Sequence, residues 1–138
     1  MTLTESIRTC FAKYGMLEGR ASRSEYWFFS LFNLLALCAI YIVSGGLGIF
    51  MLGASGNLFL GGLGMLGFLG LGGLFAVIFE IVMIIPHWTV SVRRLHDSDK
   101  SGWWLLWGLL PGVGGLIVLI LMLLPSSVGP NRFGARWN

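Results

Sequence analysis

A helical alternation of polar and apolar positions is confined to the start of the chain. Leu3, Ile7, Phe11 and Tyr14 recur at steps of four, four and three, which stacks them on one face. Thr2, with Glu5 three residues later, is a capping-box pattern at the head of that stripe. The spacing predicts an amphipathic helix over 3–14. A helix this short is marginal alone in water, so its apolar face must rest on something, and the bilayer surface is the expectation. Ser22 and Glu25 repeat the capping-box pattern, and there the periodicity gives way to near-continuous apolar sequence.

From Tyr26 to Phe79, 54 consecutive residues carry no formal charge. A membrane-crossing helix needs about 20 apolar residues. The pattern therefore predicts an all-α integral membrane protein forming a single membrane domain. Three transmembrane helices are expected at about 26–50, 58–85 with an extension to 94, and 103–124, in addition to the N-terminal interfacial helix. Twelve of the 30 residues over 44–73 are glycine, which suggests a Gly-rich outer loop at 44–57. Gly61, Gly64, Gly67, Gly70 and Gly73 are spaced by three. Each such step lags a full turn by about 60°, so they wind around the helix rather than form a stripe. Only Ser44–Gly48 and Gly72–Ala76 match the spacing of four found where membrane helices cross closely.

Pro86 is expected to kink the second span, and 93–102 to form the polar connection to the third. Trp103, Trp104 and Trp107 cluster where an interfacial aromatic belt belongs. Pro111-Gly112-Val113-Gly114-Gly115 interrupts the third apolar run. A turn there would make that run re-entrant and leave the tail, 125–138, in the cytoplasm; three full crossings are the expectation.

Composition narrows the function classes. Hydrophobic residues make up 56% of the chain and charged residues 11%, against about 25% charged in ordinary soluble domains. Cys10 and Cys38 cannot build a disulfide framework and lack metal-ligand spacing. The first 25 residues are polar and mixed in charge, so no removable leader is expected. The net charge of +3 comes from clusters flanking the apolar runs, so no nucleic-acid partner is expected. Four Lys or Arg precede the first span, none lies in the first connection and three lie in the second. That asymmetry predicts a multi-pass plasma-membrane protein with a cytoplasmic N-terminus.

Three stretches, GRASRSEYWFF at 19–29, RRLHDSDKSGWW at 93–104 and GPNRFG at 129–134, together resemble the bacterial family called domain of unknown function 805. The resemblance covers about residues 11–43 and 84–134 and leaves out the Gly-rich middle. It implies a small helical inner-membrane protein and brings no established reaction. Two departures stand out: Asp99, where the family more often has a small residue, and the Ala-Arg-Trp tail after Gly134.

Candidate chemistry gathers on the cytoplasmic side. Arg20, Arg23, Glu25, Arg93, Arg94, His96, Asp97 and Lys100 carry both signs of charge. Arginine forks match carboxylate and phosphate alike. One reading is a salt-bridged cap, with Arg20 or Arg23 on Asp97 and Arg93 or Arg94 on Glu25; the other is a site for lipid headgroups or a docking protein. Within the membrane, Asn33, Glu80 and His87 are the polar residues of interest. An intramembrane carboxylate is a functional-site candidate by default. His87 follows Glu80 by nearly two helical turns, and Ser91 and Arg94 fall near the same line, as a path lining would; pairing of Glu80 with Asn33 is the structural alternative. His96, Asp97 and Asp99 are too few and too close for a zinc site, and Ser98 or Asp99 is expected to cap the third span. No cofactor, metal or enzymatic reaction is expected. The functional expectation is a self-associating or partner-docking membrane protein in contact with lipid. A small oligomeric channel or transporter lined by Glu80 and His87 is the alternative.

Overall fold

A computed structural model describes residues 1–135; Arg136, and with it the end of the Ala-Arg-Trp tail, lies outside the described residues. The regular elements are all helices: α1 (Leu3–Ala12), α2 (Arg23–Ala54), α3 (Leu58–Asp97), a 3-10 segment (Gly102–Leu109) and α4 (Val113–Leu123). By length and composition α2 and α3 can cross a membrane, while α4 is a shorter apolar helix. The chain divides into two compact units, one of Phe32–Ile84 and one of Met1–Leu31 with the chain from Ile85 onward.

The unit of Phe32–Ile84 is an antiparallel pair of helices, the later part of α2 and the earlier part of α3, joined at residues 55–57. The loop expected over 44–57 is thus helical up to Ala54. In hydrocarbon a backbone must satisfy its own hydrogen bonds, so even a Gly-rich stretch is held helical. The turn itself carries the familiar signals: Asn57 accepts the amides of Phe59 and Leu60 through Oδ1 and so caps α3. Little apolar surface is buried between the two helices, as expected where lipid is as apolar as leucine and close backbone approach holds helices together. Ser44 of α2 lies directly on Gly72 of α3, where no Cβ would fit, and Ala76 is buried one turn further on.

The other unit has its apolar core at Leu95, Leu121 and Met122, with Tyr26, Leu105, Ile117, Val118 and Leu124 packed around it. α3 continues through Pro86 to Asp97, so the connection expected over 93–102 shrinks to 98–101. Its end is a Schellman motif: Lys100 N–H donates to Leu95 O (2.9 Å) and Asp99 N–H to His96 O (3.0 Å), with Asp99 at φ 58°. Asp99 therefore holds the left-handed position that glycine usually takes. Ser98 donates its hydroxyl back to Leu95 O. Neither residue caps the third apolar run, which begins at Ser101 without a side-chain cap.

That run is not one helix. The 3-10 segment and α4 pack on each other as a hairpin, turning at Leu110–Gly112, where Gly112 has φ 82°. Gly114 sits on the Trp107 carbonyl, with no room for a side chain. The proline and glycines that interrupt the third run thus turn the chain back rather than bend a continuous helix.

α1 has both halves of its capping box: Glu5 N–H donates to Thr2 Oγ1 (3.3 Å) and Thr2 N–H to Glu5 Oε2 (2.8 Å). Ser6 and Cys10 face inward, while Leu3, Phe11 and Tyr14 stay substantially exposed. The second box is half formed. Glu25 N–H donates to Ser22 Oγ (3.0 Å), but the Glu25 carboxylate turns away to Arg93.

Candidate functional site

The charged residues of the three motif stretches converge on a buried clasp centred on Asp97. α3 delivers Arg93, Arg94 and Asp97 in one turn, and the loop before α2 delivers Arg20. Arg20 Nε and Nη2 reach Asp97 Oδ1 at 3.0 and 2.9 Å, and its Nη1 donates to the Gly129 carbonyl at 2.7 Å. Nη2 also donates to the carbonyls of Ser127 (3.0 Å) and Asp97 (3.3 Å). Arg94 Nη1 pairs with Asp97 Oδ2 at 2.7 Å, its Nε donates to Met122 O at 3.2 Å, and its Nη2 donates to Leu124 O. Arg23, exposed, also donates to Leu124 O (3.1 Å). Ser126 donates its hydroxyl to Asp97 Oδ2, and Ser127 N–H donates to Asp97 O (2.8 Å). Asn131 Nδ2 donates to His96 O (2.8 Å) and to Ser127 Oγ (2.9 Å).

Beside this clasp lies a second pair, Arg93 Nη1 to Glu25 Oε1 at 2.8 Å, both side chains buried. Cys10 Sγ–H points to the same carboxylate oxygen at 3.9 Å. Burial first, and the Glu25 charge second, push the Cys10 thiol up to about 12, so it stays a neutral thiol. Three arginines face two carboxylates here. The surplus positive charge is met by the carbonyl ends of α3 and α4, the negative poles of their dipoles.

Each candidate from the sequence thus has a definite place. Arg20, Arg94 and Asp97 form the clasp, Arg93 and Glu25 the adjoining pair, and Arg23 its exposed edge. His96 stacks on Phe133 with ring centroids 3.8 Å apart and holds Gly19 O through Nδ1 at 3.3 Å. Asp99 pairs with Arg132 at 3.4 Å on the surface. Arg20, Arg93 and Arg94 are at most 4% exposed, so the guanidiniums expected to face headgroups point inward to protein partners instead. His87 packs near the rings of Tyr26 and Phe29. In the other unit, Asn33 Nδ2 donates to Glu80 Oε1 at 2.8 Å. Among the described residues no three His, Cys, Asp or Glu gather as a metal site would require. Ser126, Ser127 and the carbonyls of Met122, Leu124 and Gly129 were not foreseen. A main-chain acceptor leaves no trace in sequence, and the only signal nearby was the GPNRFG stretch, noted for the family resemblance and not for any contact.

The profile of the family described as "Protein of unknown function (DUF805)" matches residues 14–135. The chain belongs to this family. The inner membrane protein YhaH of Escherichia coli K12 is 36% identical over 121 residues, covering 88% of this chain and 86% of its own. The inner membrane protein YhaI of the same organism is 31% identical over 121 residues, covering 88% and 85%. No solved structure matches the chain. In this DUF805 member the three motif stretches are therefore the parts of one fastening: GRASRSE supplies Arg20, Arg23 and Glu25, RRLHD supplies both arginines and the aspartate, and GPNRFG supplies Gly129, Asn131 and Phe133.

Proposed function

We propose that this chain is a non-enzymatic inner-membrane protein, with both ends in the cytoplasm, that assembles with copies of itself around Glu80. The names of the E. coli relatives support the location. The Arg/Asp clasp serves as the fastening that holds the third apolar run against the end of α3, and its acids and bases are committed to structural partners. Lipid headgroups meet this cap at the exposed Arg23 and at Lys100.

Glu80 carries the reading of assembly. It sits in an uncharged stretch, with 54 uncharged residues before it and twelve more before Arg93. It is only partly buried in a two-helix unit, with Asn33 as its hydrogen-bond partner. Carboxylates at membrane depth face a bundle interior or a water-filled cavity, because hydrocarbon cannot solvate them. Two helices alone have no interior, and we assign that cover to further copies of the chain. The same residue supports the second reading, a small channel or transporter whose path is lined by Glu80 from several copies.

Native mass spectrometry of the protein released from lipid nanodiscs tests this. The expected result is one defined oligomer, weakened at least tenfold by Glu80→Leu, which removes the group that needs cover. A wild-type monomer, or an oligomer indifferent to that change, overturns the proposal. Proton or cation flux in liposomes, lost in Glu80→Gln with assembly intact, would select the path.

A further inference from the structure

Two cavities differ in what they could select. One, of about 510 Å³, lies between the helices of the Phe32–Ile84 unit and is walled by Phe68, Phe75 and aliphatic side chains, with Ser44 at one wall. Any hydrocarbon would fill it, and it discriminates nothing. The other, of about 470 Å³, lies in the unit that carries the clasp, a size within the usual range for ligand sites. Trp88 and Val92 from α3, Trp103 and Leu106 from the 3-10 segment, and Leu17 give it an apolar body, and His96 and Ser101 give it a polar end.

That polar end is built in advance. His96 is fixed by its stack on Phe133 and by its Nδ1 contact to Gly19 O. Lys100, next to Ser101, lies over the Trp104 ring at 5.7 Å, and among the described residues it forms no salt bridge with a carboxylate. Lys100 is not itself a wall of the cavity, but it precedes the wall residue Ser101 in the chain and so carries an ammonium without a carboxylate partner beside the polar end, which is complementary to an amphiphile with an anionic head. We infer that this cavity is a binding site for one anionic phospholipid, an acyl chain along Trp88, Trp103 and Leu106 and the phosphate end towards His96, Ser101 and Lys100. The inference concerns each protomer alone and stands whether or not the chain assembles through Glu80.

The test is native mass spectrometry in detergent, titrating phosphatidylglycerol or phosphatidylcholine and counting lipids per protomer. Wild type is expected to hold one phosphatidylglycerol at least tenfold more tightly than phosphatidylcholine. Leu106→Trp, which fills the cavity, should abolish that tight binding, while Leu109→Trp, on an exposed position outside it, should leave it unchanged. Lys100→Gln, which removes the ammonium and its contact over Trp104 and leaves the cavity walls unchanged, should erase the preference between the two lipids. Equal affinity for the two lipids in wild type overturns the inference. So does a preference that survives both Leu106→Trp and Lys100→Gln.

Discussion

Asp97 takes Arg20 on one carboxylate oxygen and Arg94 with Ser126 on the other, while its main-chain oxygen takes Ser127. Its neutral isostere would leave two buried guanidiniums facing an amide, and removing one partner of a buried pair costs about 3–5 kcal/mol. Asp97→Asn should therefore lower unfolding stability in detergent by that order and expose the segment after Leu124 to protease. The surface pair Asp99–Arg132 is the control. It is solvent-exposed at 3.4 Å, a geometry worth roughly 0–1 kcal/mol, and Asn tolerates the left-handed backbone that Asp99 adopts. Asp99→Asn should be close to silent in the same assay. Equal losses for the two variants would mean that the clasp contributes no more than a surface ion pair. The charges of this cap were legible in the sequence as two clusters, each of mixed sign and both expected on the same side of the membrane, and the two pairings across them could be written down from charge alone. The sharing of Asp97 between Arg20 and Arg94 could not, because it depends on which arginine the α3 C-terminus turns inward.

At the scale of elements, α1, α2 and α3 follow from periodicity, capping boxes and uncharged length, and the close contact of Ser44 with Gly72 lies within the small-residue pairs that spacing had singled out. Two boundaries were illegible because glycine marks both and its meaning differs between them. In hydrocarbon the 44–54 stretch closes its own hydrogen bonds and stays helical, whereas at Pro111–Gly115 the proline has no N–H to give, Gly112 takes a positive φ and Gly114 alone is buried, so the chain turns. The second case rests on Gly114. Any side chain there meets the Trp107 carbonyl, main-chain material that cannot rotate away, while Gly115 beside it has open space. Gly114→Leu should cost about 1–3 kcal/mol or more as overpacking, and Gly115→Leu next to nothing. Thermal unfolding of the two variants in one detergent gives the comparison. A hairpin that tolerates both equally would not be packed as described.

For the whole molecule the consequence is topological. The eight residues of the 3-10 segment rise about 16 Å at 2.0 Å each, and the eleven of α4 also rise about 16 Å at 1.5 Å each. Neither reaches across a hydrocarbon core of about 30 Å, and their equal lengths let one lead out and the other back. Both ends of the excursion are tied to the end of α3. It leaves within a few residues of Asp97 and returns with Met122 and Leu124 held by Arg94. On the proposed topology α2 and α3 cross and the third run does not, and Arg132 then shares the side of the N-terminal arginines, where the distribution of basic residues favours it. A green fluorescent protein fused after Asn138 should fluoresce and an alkaline phosphatase fused there should be inactive. The same reporters inserted at Gly56 should behave in the opposite way. Phosphatase activity at the C-terminus would mean that the third run crosses, and the carbonyls that Arg94 holds would then have to lie on the far side of the membrane from Asp97, which a single guanidinium cannot span.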